Sequence, residues 1–149
     1  MLPTEVPLWL HGKAVKASKR LDVTSPGTGQ VIYQAAAAIE ADAEAALVSR
    51  SEAFPAWSQS KPAYRRDVFL RAVEIFRARK EECWQILNGD TGAPRAFFEV
   101  TYTQAIEMCK DVAGDIRALL GSAPVVEEDG RSALVLREHY GVVLGIAPW

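Results

Sequence analysis

Cysteine and histidine are scarce in this chain of 149 residues, with two of each. Cys83 and Cys109 lie too far apart for a CxxC metal site and are too few for a disulfide scaffold. They read as free thiols of a reducing compartment. Charge of one sign is missing as well. Seventeen Lys and Arg oppose nineteen Asp and Glu, a net charge of -2. That balance supplies no field for a polyanion and argues against a nucleic-acid partner. Long apolar runs are absent too. Outside the stretch 35–39 the longest is 141–149, well short of the roughly 18 residues a membrane span needs. The first ten residues have no basic region, and Pro3, Glu5 and Pro7 interrupt them, so no targeting signal is read there. A soluble, cytoplasmic protein is expected. Neither an internal repeat nor a low-complexity segment is present.

What remains is ordinary. Apolar residues make up 49% and charged residues 24%, the composition of a folded globular chain rather than a disordered one. The length taken alone suits one domain. The first forty residues read as strands and turns. Leu8-Trp9-Leu10 is a short apolar strand, His11-Gly12-Lys13 a turn, and Leu21-Asp22-Val23-Thr24 alternates with period two. Ser25-Pro26-Gly27-Thr28-Gly29 is a dense turn signal before Gln30-Val31-Ile32-Tyr33, which predicts a hairpin.

From Glu40 the period becomes helical. Asp42 and Glu44 put negative charge where a helix N-terminus favours it. Ala43, Ala46, Leu47, Phe54 and Trp57 line one face, with Pro55 expected to end or kink that helix. Pro62 opens a second helix, in which Val68, Ala72, Ile75 and Phe76 form an amphipathic stripe. A third holds Cys83, Trp84, Ile86 and Leu87 and stops at Thr91-Gly92. The fourth is expected over 94–120, with Phe97, Val100, Gln104, Met108, Val112, Ile116 and Leu119 recurring at three and four. After the acidic loop Glu127-Glu128-Asp129-Gly130, a strand is predicted over 132–138. The continuous apolar run 141–149 predicts a strand buried on both faces, as in a parallel sheet covered by helices.

Local chemistry is sparse. Arg65, Arg66, Arg71, Arg77, Arg79 and Lys80 are interleaved with Asp67, Glu74, Glu81 and Glu82. Such a pattern is a salt-laced helix face, in which Arg71 can pair with Asp67 or Glu74. Cys83 and Cys109 fall inside amphipathic helices, where cysteine behaves as a small hydrophobe. His11 and His139 stand near no Ser or Cys in a recognisable motif. The glycines of the hairpin turn lack the following helix and lysine of a phosphate loop. No metal site is read. The end of the run 141–149 differs, because a strand breaking at Pro148 beside Trp149 is where open α/β sheets bind ligands.

Three segments resemble the N-terminal part of the NAD(P)-dependent aldehyde dehydrogenase superfamily. Thr24-Ser25-Pro26-Gly27-Thr28-Gly29-Gln30-Val31-Ile32 is similar to its Asn-Pro-Ala-Thr-Gly-Glu-Val-Ile hairpin. Ala53-Phe54-Pro55-Ala56-Trp57, then Arg65-Arg66, then Asp90-Thr91-Gly92-Ala93-Pro94 follow the Ala-Phe…Trp…Arg…Asp-Thr-Gly-Lys-Pro run. Arg137-Glu138-His139-Tyr140-Gly141-Val142-Val143-Leu144-Gly145-Ile146-Ala147-Pro148-Trp149 resembles Arg-Glu-Pro-x-Gly-Val-Val-x-x-Ile-x-Pro-Trp-Asn. Within the superfamily the wording resembles salicylaldehyde- and vanillin-type enzymes.

The resemblance implies an incomplete α/β fold: a β-hairpin, four helices and the start of a parallel dinucleotide-binding sheet. It divides the chain into 1–121, the N-terminal part of the NAD(P)-binding domain; 122–139, an oligomerisation-arm strand; and 140–149, the first buried strand of the sheet. It implies oxidation of an aldehyde to an acid with NAD or NADP, through a cysteine nucleophile, a glutamate base and an oxyanion-binding asparagine. None of those three motifs occurs in these 149 residues, and neither Cys83 nor Cys109 sits in the nucleophile's motif. Two groups of site residues carry over. Ile146, Ala147, Pro148 and Trp149 match the cofactor side, and Val100, Gln104 and Met108 match the helix bordering the substrate tunnel. The implied partners are a small-molecule aldehyde and further copies in a homo-oligomer.

Val142, Val143, Leu144 and Ile146 would together gain about 6–12 kcal/mol on burial. A domain's net stability is only about 5–15 kcal/mol, so the 149 residues alone are expected to self-associate or to need a partner fragment. A catalytically incomplete fragment is the first reading. The alternative is a non-catalytic half-domain that pairs with intact subunits through 132–138.

Overall fold

The computed structural model describes residues 4–127 and 129–147. Five short strands come first: β1 (Glu5–Val6), β2 (Leu8–Leu10), β3 (Lys13–Val15), β4 (Lys19–Thr24) and β5 (Val31–Ala37). Four helices follow, α1 (Glu40–Ser58), α2 (Pro62–Ala78), α3 (Lys80–Thr91) and α4 (Arg95–Asp115). β2 and β3 pair antiparallel with Leu10 opposite Lys13. Between them His11 and Gly12 have φ of 50° and 70°, the two positive values that a tight hairpin turn of the I′ type requires. The His11 N–H donates to Ser49 Oγ at 3.0 Å, which ties this turn to α1.

The predicted hairpin is β4–β5, antiparallel from Lys19 opposite Ala37 to Val23 opposite Tyr33. Its turn closes by Ser25 N–H to Gln30 O at 2.9 Å and Gly29 N–H to Ser25 O at 2.8 Å. β1 adds to β5 in parallel, giving the order β1-β5-β4. Arg20 on β4 reaches Glu5 on β1 across β5, at 3.2 Å.

The helix boundaries follow local chemistry. Asp42 accepts the Ile39 N–H at 3.0 Å, satisfying a donor at the start of α1. Pro62 occupies the first turn of α2, where its missing N–H costs nothing. Gly92 ends α3 at φ 66°, a left-handed cap that a side chain resists. A Cβ there would also meet Pro26 Cγ at 3.1 Å, so the hairpin turn sits against the α3–α4 corner.

The helical core is small. Val73 of α2 and Phe98, Tyr102 and Ile106 of α4 form its buried cluster, with Cys83, Trp84, Leu87 and Cys109 packed against it. Rings stack through it: Trp84 to Phe98 at 5.4 Å and Phe98 to Tyr102 at 4.8 Å. The buried Tyr102 hydroxyl donates to the Phe76 carbonyl, which solves the problem of a polar tip in an apolar site.

Several expectations are corrected. Of the two outcomes expected at Pro55, an end or a kink, the end does not occur: α1 runs through Pro55 to Ser58, losing there the one ladder bond that the missing N–H would have made. On α2 the buried residue is Val73, while Val68, Ile75 and Phe76 stand 41%, 50% and 40% exposed. α4 stops at Asp115, and its core face is Phe98, Tyr102, Ile106 and Ala113 rather than the stripe through Phe97 and Val100. The helix is apolar on both sides, and packing against Val73 and Phe76 of α2 and Trp84 of α3 selects one of them.

The strand expected over 132–138 is a single antiparallel bridge, Val135 to Ser122. Residues 141–147 form no strand, and Leu144 and Ile146 are largely exposed. The parallel sheet expected to begin there does not form, because no described strand lies alongside to supply ladder partners.

Candidate functional site

The four-residue spacing of Val100, Gln104 and Met108 places all three on one side of α4, away from its core face. All three are exposed, Val100 by 58% and Met108 by 66%. Arg95 fixes the start of this helix. It pairs with Glu81 and Glu99, each at 2.8 Å, and lies over the rings of Trp84 and Phe98. Beside it, Leu87, Thr91, Ala93 and Phe97 line a small apolar hollow of about 110 Å³ at the α3–α4 corner.

Ile146 and Ala147, of the second group, lie in the irregular segment 141–147, and both are exposed. Pro148 and Trp149 lie outside the described residues, as does Glu128 of the acidic loop. No hydrogen bond joins α4 to residues 146 and 147 among the described residues. Nor do these residues fit a dinucleotide by themselves. Ile146 is 87% exposed, and no buried polar side-chain atom among the described residues lacks a partner.

The remaining candidates have structural neighbours. Cys83 and Cys109 pack against the helical cluster. The Tyr102 hydroxyl is raised above its ordinary range by burial and by the adjacent Cys83. His139 packs edge-on against Phe54 at 6.0 Å, and His11 lies 3.7 Å from Glu52. No group of three metal-ligating side chains occurs among the described residues. The basic stretch is salt-laced as expected, through Arg66–Asp67, Arg77–Glu74 and Arg79–Glu82. Arg71 pairs with neither carboxylate expected of it. It lines an open hollow of about 400 Å³ with Tyr64, Val68 and Ile75.

Two of the long-range contacts that sequence reasoning missed join the most distant parts of the chain by side-chain hydrogen bonds. Tyr33 on β5 donates to Asp90 near the end of α3, with both carboxylate oxygens at 2.7 Å. Burial, then the hydrogen bond and charge of Asp90, push the Tyr33 pKa up to about 12. Arg50 on α1 donates to the carbonyl of Val143. Separations of 57 and 93 residues leave no local signal for either.

The chain matches the aldehyde dehydrogenase family over residues 13–149, and it belongs to that family. Vanillin dehydrogenase of Pseudomonas fluorescens is 34% identical over 147 residues, which cover 97% of this chain and 30% of that protein. An NAD-dependent aldehyde dehydrogenase from Sinorhizobium meliloti superposes with a TM-score of 0.82 at 27% identity, over 91% of this chain and 28% of its own. A salicylaldehyde dehydrogenase from Pseudomonas putida G7, solved with salicylaldehyde, superposes with a TM-score of 0.85 at 17% identity, over 91% and 28%. This last likeness is one of fold. The chain spans about 30% of the length of the curated relatives it matches, and its fold is the corresponding part of the aldehyde dehydrogenase fold. No helix among the described residues is long and apolar enough to cross a membrane.

Proposed function

We propose that these 149 residues serve as the N-terminal part of an NAD(P)-dependent aldehyde dehydrogenase that oxidises an aromatic aldehyde to its carboxylic acid. The observation that carries the reading is the family match over residues 13–149. The vanillin dehydrogenase relative supports the aromatic substrate class. In this reading Val100, Gln104 and Met108 border the substrate tunnel, and their exposure fits a face that further polypeptide covers. Ile146, Ala147, Pro148 and Trp149 meet the cofactor, NAD or NADP, once neighbouring strands complete the sheet. Segment 132–138 is the oligomerisation arm of a cytoplasmic homo-oligomer.

The 149-residue polypeptide alone is inactive. Both thiols are engaged in packing, neither is hydrogen-bonded to a histidine among the described residues, and the residues at hand do not enclose a dinucleotide. The test is an assay of the purified polypeptide with an aromatic aldehyde and each nicotinamide cofactor in turn. No reduced cofactor is expected. Turnover above that of a heat-treated sample overturns the inactivity.

A further inference from the structure

α4 begins without the usual devices of a helix start. Its N-cap is Pro94, no side chain caps the first turn, and no carboxylate stands in that turn. Its first residue is instead a cation, Arg95, at the end where the helix dipole disfavours positive charge. Tertiary contacts hold it there. Arg95 Nε donates to Glu99 and Nη1 to Glu81, each at 2.8 Å. The guanidinium carbon lies 5.1 Å from the centre of the Trp84 ring and 5.5 Å from that of Phe98, within cation–π range of both. Glu99 also meets Lys80 at 2.5 Å. Lys80, and then Arg95, hold the Glu99 carboxyl below its ordinary range. All of these partners lie on α3 or α4, so the clamp needs no polypeptide outside those two helices.

The place of Arg95 on the helix gives the clamp a consequence. Arg95, Phe98, Tyr102 and Ile106 recur at three and four residues, so Arg95 heads the buried stripe of α4. With about 3.6 residues per turn, Val100, Gln104 and Met108 fall on the opposite side. Any rotation of the first turns about the helix axis therefore swings Val100 and Gln104 the other way. Phe98 and Tyr102 anchor the next turns in the core, whereas the first turn relies on Arg95. We propose that Arg95 is a positioning residue, which fixes the rotation of the first turns of α4 through Glu81 and Trp84 and so aims Val100 and Gln104 at the aldehyde. This step rests on the proposed function, which puts those two residues at the substrate tunnel. Arg95 itself, on the far side of the helix, does not share that face.

The test uses the full-length enzyme that contains these residues, with an aromatic aldehyde varied at saturating nicotinamide cofactor. Arg95→Ala removes both ion pairs and the stacking. Glu81→Ala cuts the tie to α3 and leaves the pair with Glu99 within α4. Both are expected to raise KM for the aldehyde, R95A by roughly three- to tenfold, the scale of losing exposed ion pairs and a cation–π contact together. kcat and the KM for cofactor should stay within about twofold, the pattern of lost binding that ground state and transition state share. Arg77→Ala, whose pair with Glu74 stays within α2, is expected to change none of these constants. An unchanged aldehyde KM in both variants overturns the proposal. So does a fall in kcat with a rise in both KM values and lost far-UV helicity, since Arg95 would then hold the fold rather than aim a face. A rise in R77A equal to that in R95A overturns it too, because any exposed ion pair would then serve. If R95A does not fold, E81A decides by the same comparison. A wild-type enzyme that oxidises no aldehyde refutes the proposed function and this role with it, whereas an active wild type with unchanged variants refutes the role of Arg95 alone.

Discussion

Replacing Tyr33 by phenylalanine removes one oxygen and, with it, the side-chain bond between the hairpin and α3. The hydroxyl lies 2.7 Å from both Asp90 oxygens at a half-buried site. A hydrogen bond to a charged group contributes about 1.5–3 kcal/mol. Solvent access lowers this, so Y33F is expected to lose about 1–2 kcal/mol near neutral pH. The pH dependence is more diagnostic. The unfolded chain releases the tyrosine proton near pH 10, whereas the folded chain holds it to about pH 12. Protons are then bound by the folded state and not by the unfolded one, so stability falls as pH rises through this window. The contribution is complete below pH 10 and is lost by pH 12. Two pH units correspond to about 2.7 kcal/mol at most, less for a site open to solvent. Urea unfolding of both proteins, repeated from pH 8 to pH 12, reads the difference directly, since the lysines they share cancel. The gap between wild type and Y33F should be constant to pH 10 and close above it. A gap that is absent at pH 8, or that stays constant to pH 12, refutes the reasoning.

Two further substitutions separate the core from the uncovered faces. Phe98 is 2% exposed at the centre of a small cluster, so F98A is expected to cost about 3–5 kcal/mol and to abolish cooperative unfolding in urea. Met108, at 66% exposure, should tolerate alanine within about 0.5 kcal/mol in the same experiment; equal losses would contradict the assigned faces of α4. At Gly121 a Cβ would strike the Val135 carbonyl, so G121A should break the paired bonds between Ser122 and Val135, now 2.7 and 3.0 Å. Fast hydrogen exchange at the Val135 amide, with helicity unchanged, is the expected result; unchanged protection would show that the bridge does not need the glycine.

Elements governed by their own residues were legible in the sequence. The Ser25–Gly29 turn, Pro62 at the first turn of α2 and Gly92 at the end of α3 all act within a few residues. The faces of α2 and α4 were not, because periodicity reports that a stripe is apolar without reporting what lies against it. α4 has two such stripes, and the residues that meet one of them, Val73 and Phe76 of α2 and Trp84 of α3, decide between them. Segments 132–138 and 141–147 carry strand-like sequence that becomes strand only beside other strands, and among the described residues those neighbours are missing. As for the candidate site, Val100, Gln104 and Met108 share an exposed face as their spacing requires. The contacts of Tyr33 with Asp90 and of Arg50 with Val143 had no sequence signal, since each joins residues dozens of positions apart.

The central claim is that these residues work as one part of a longer aldehyde-oxidising enzyme, and the size of the native product tests it most directly. An antibody raised against the β4–β5 hairpin should capture from cells a polypeptide about three times as long as 149 residues, in keeping with the 30% share of its relatives. The captured material should reduce a nicotinamide cofactor when given an aromatic aldehyde. A captured product of only 149 residues, with no larger chain and no such activity alongside it, would contradict the account.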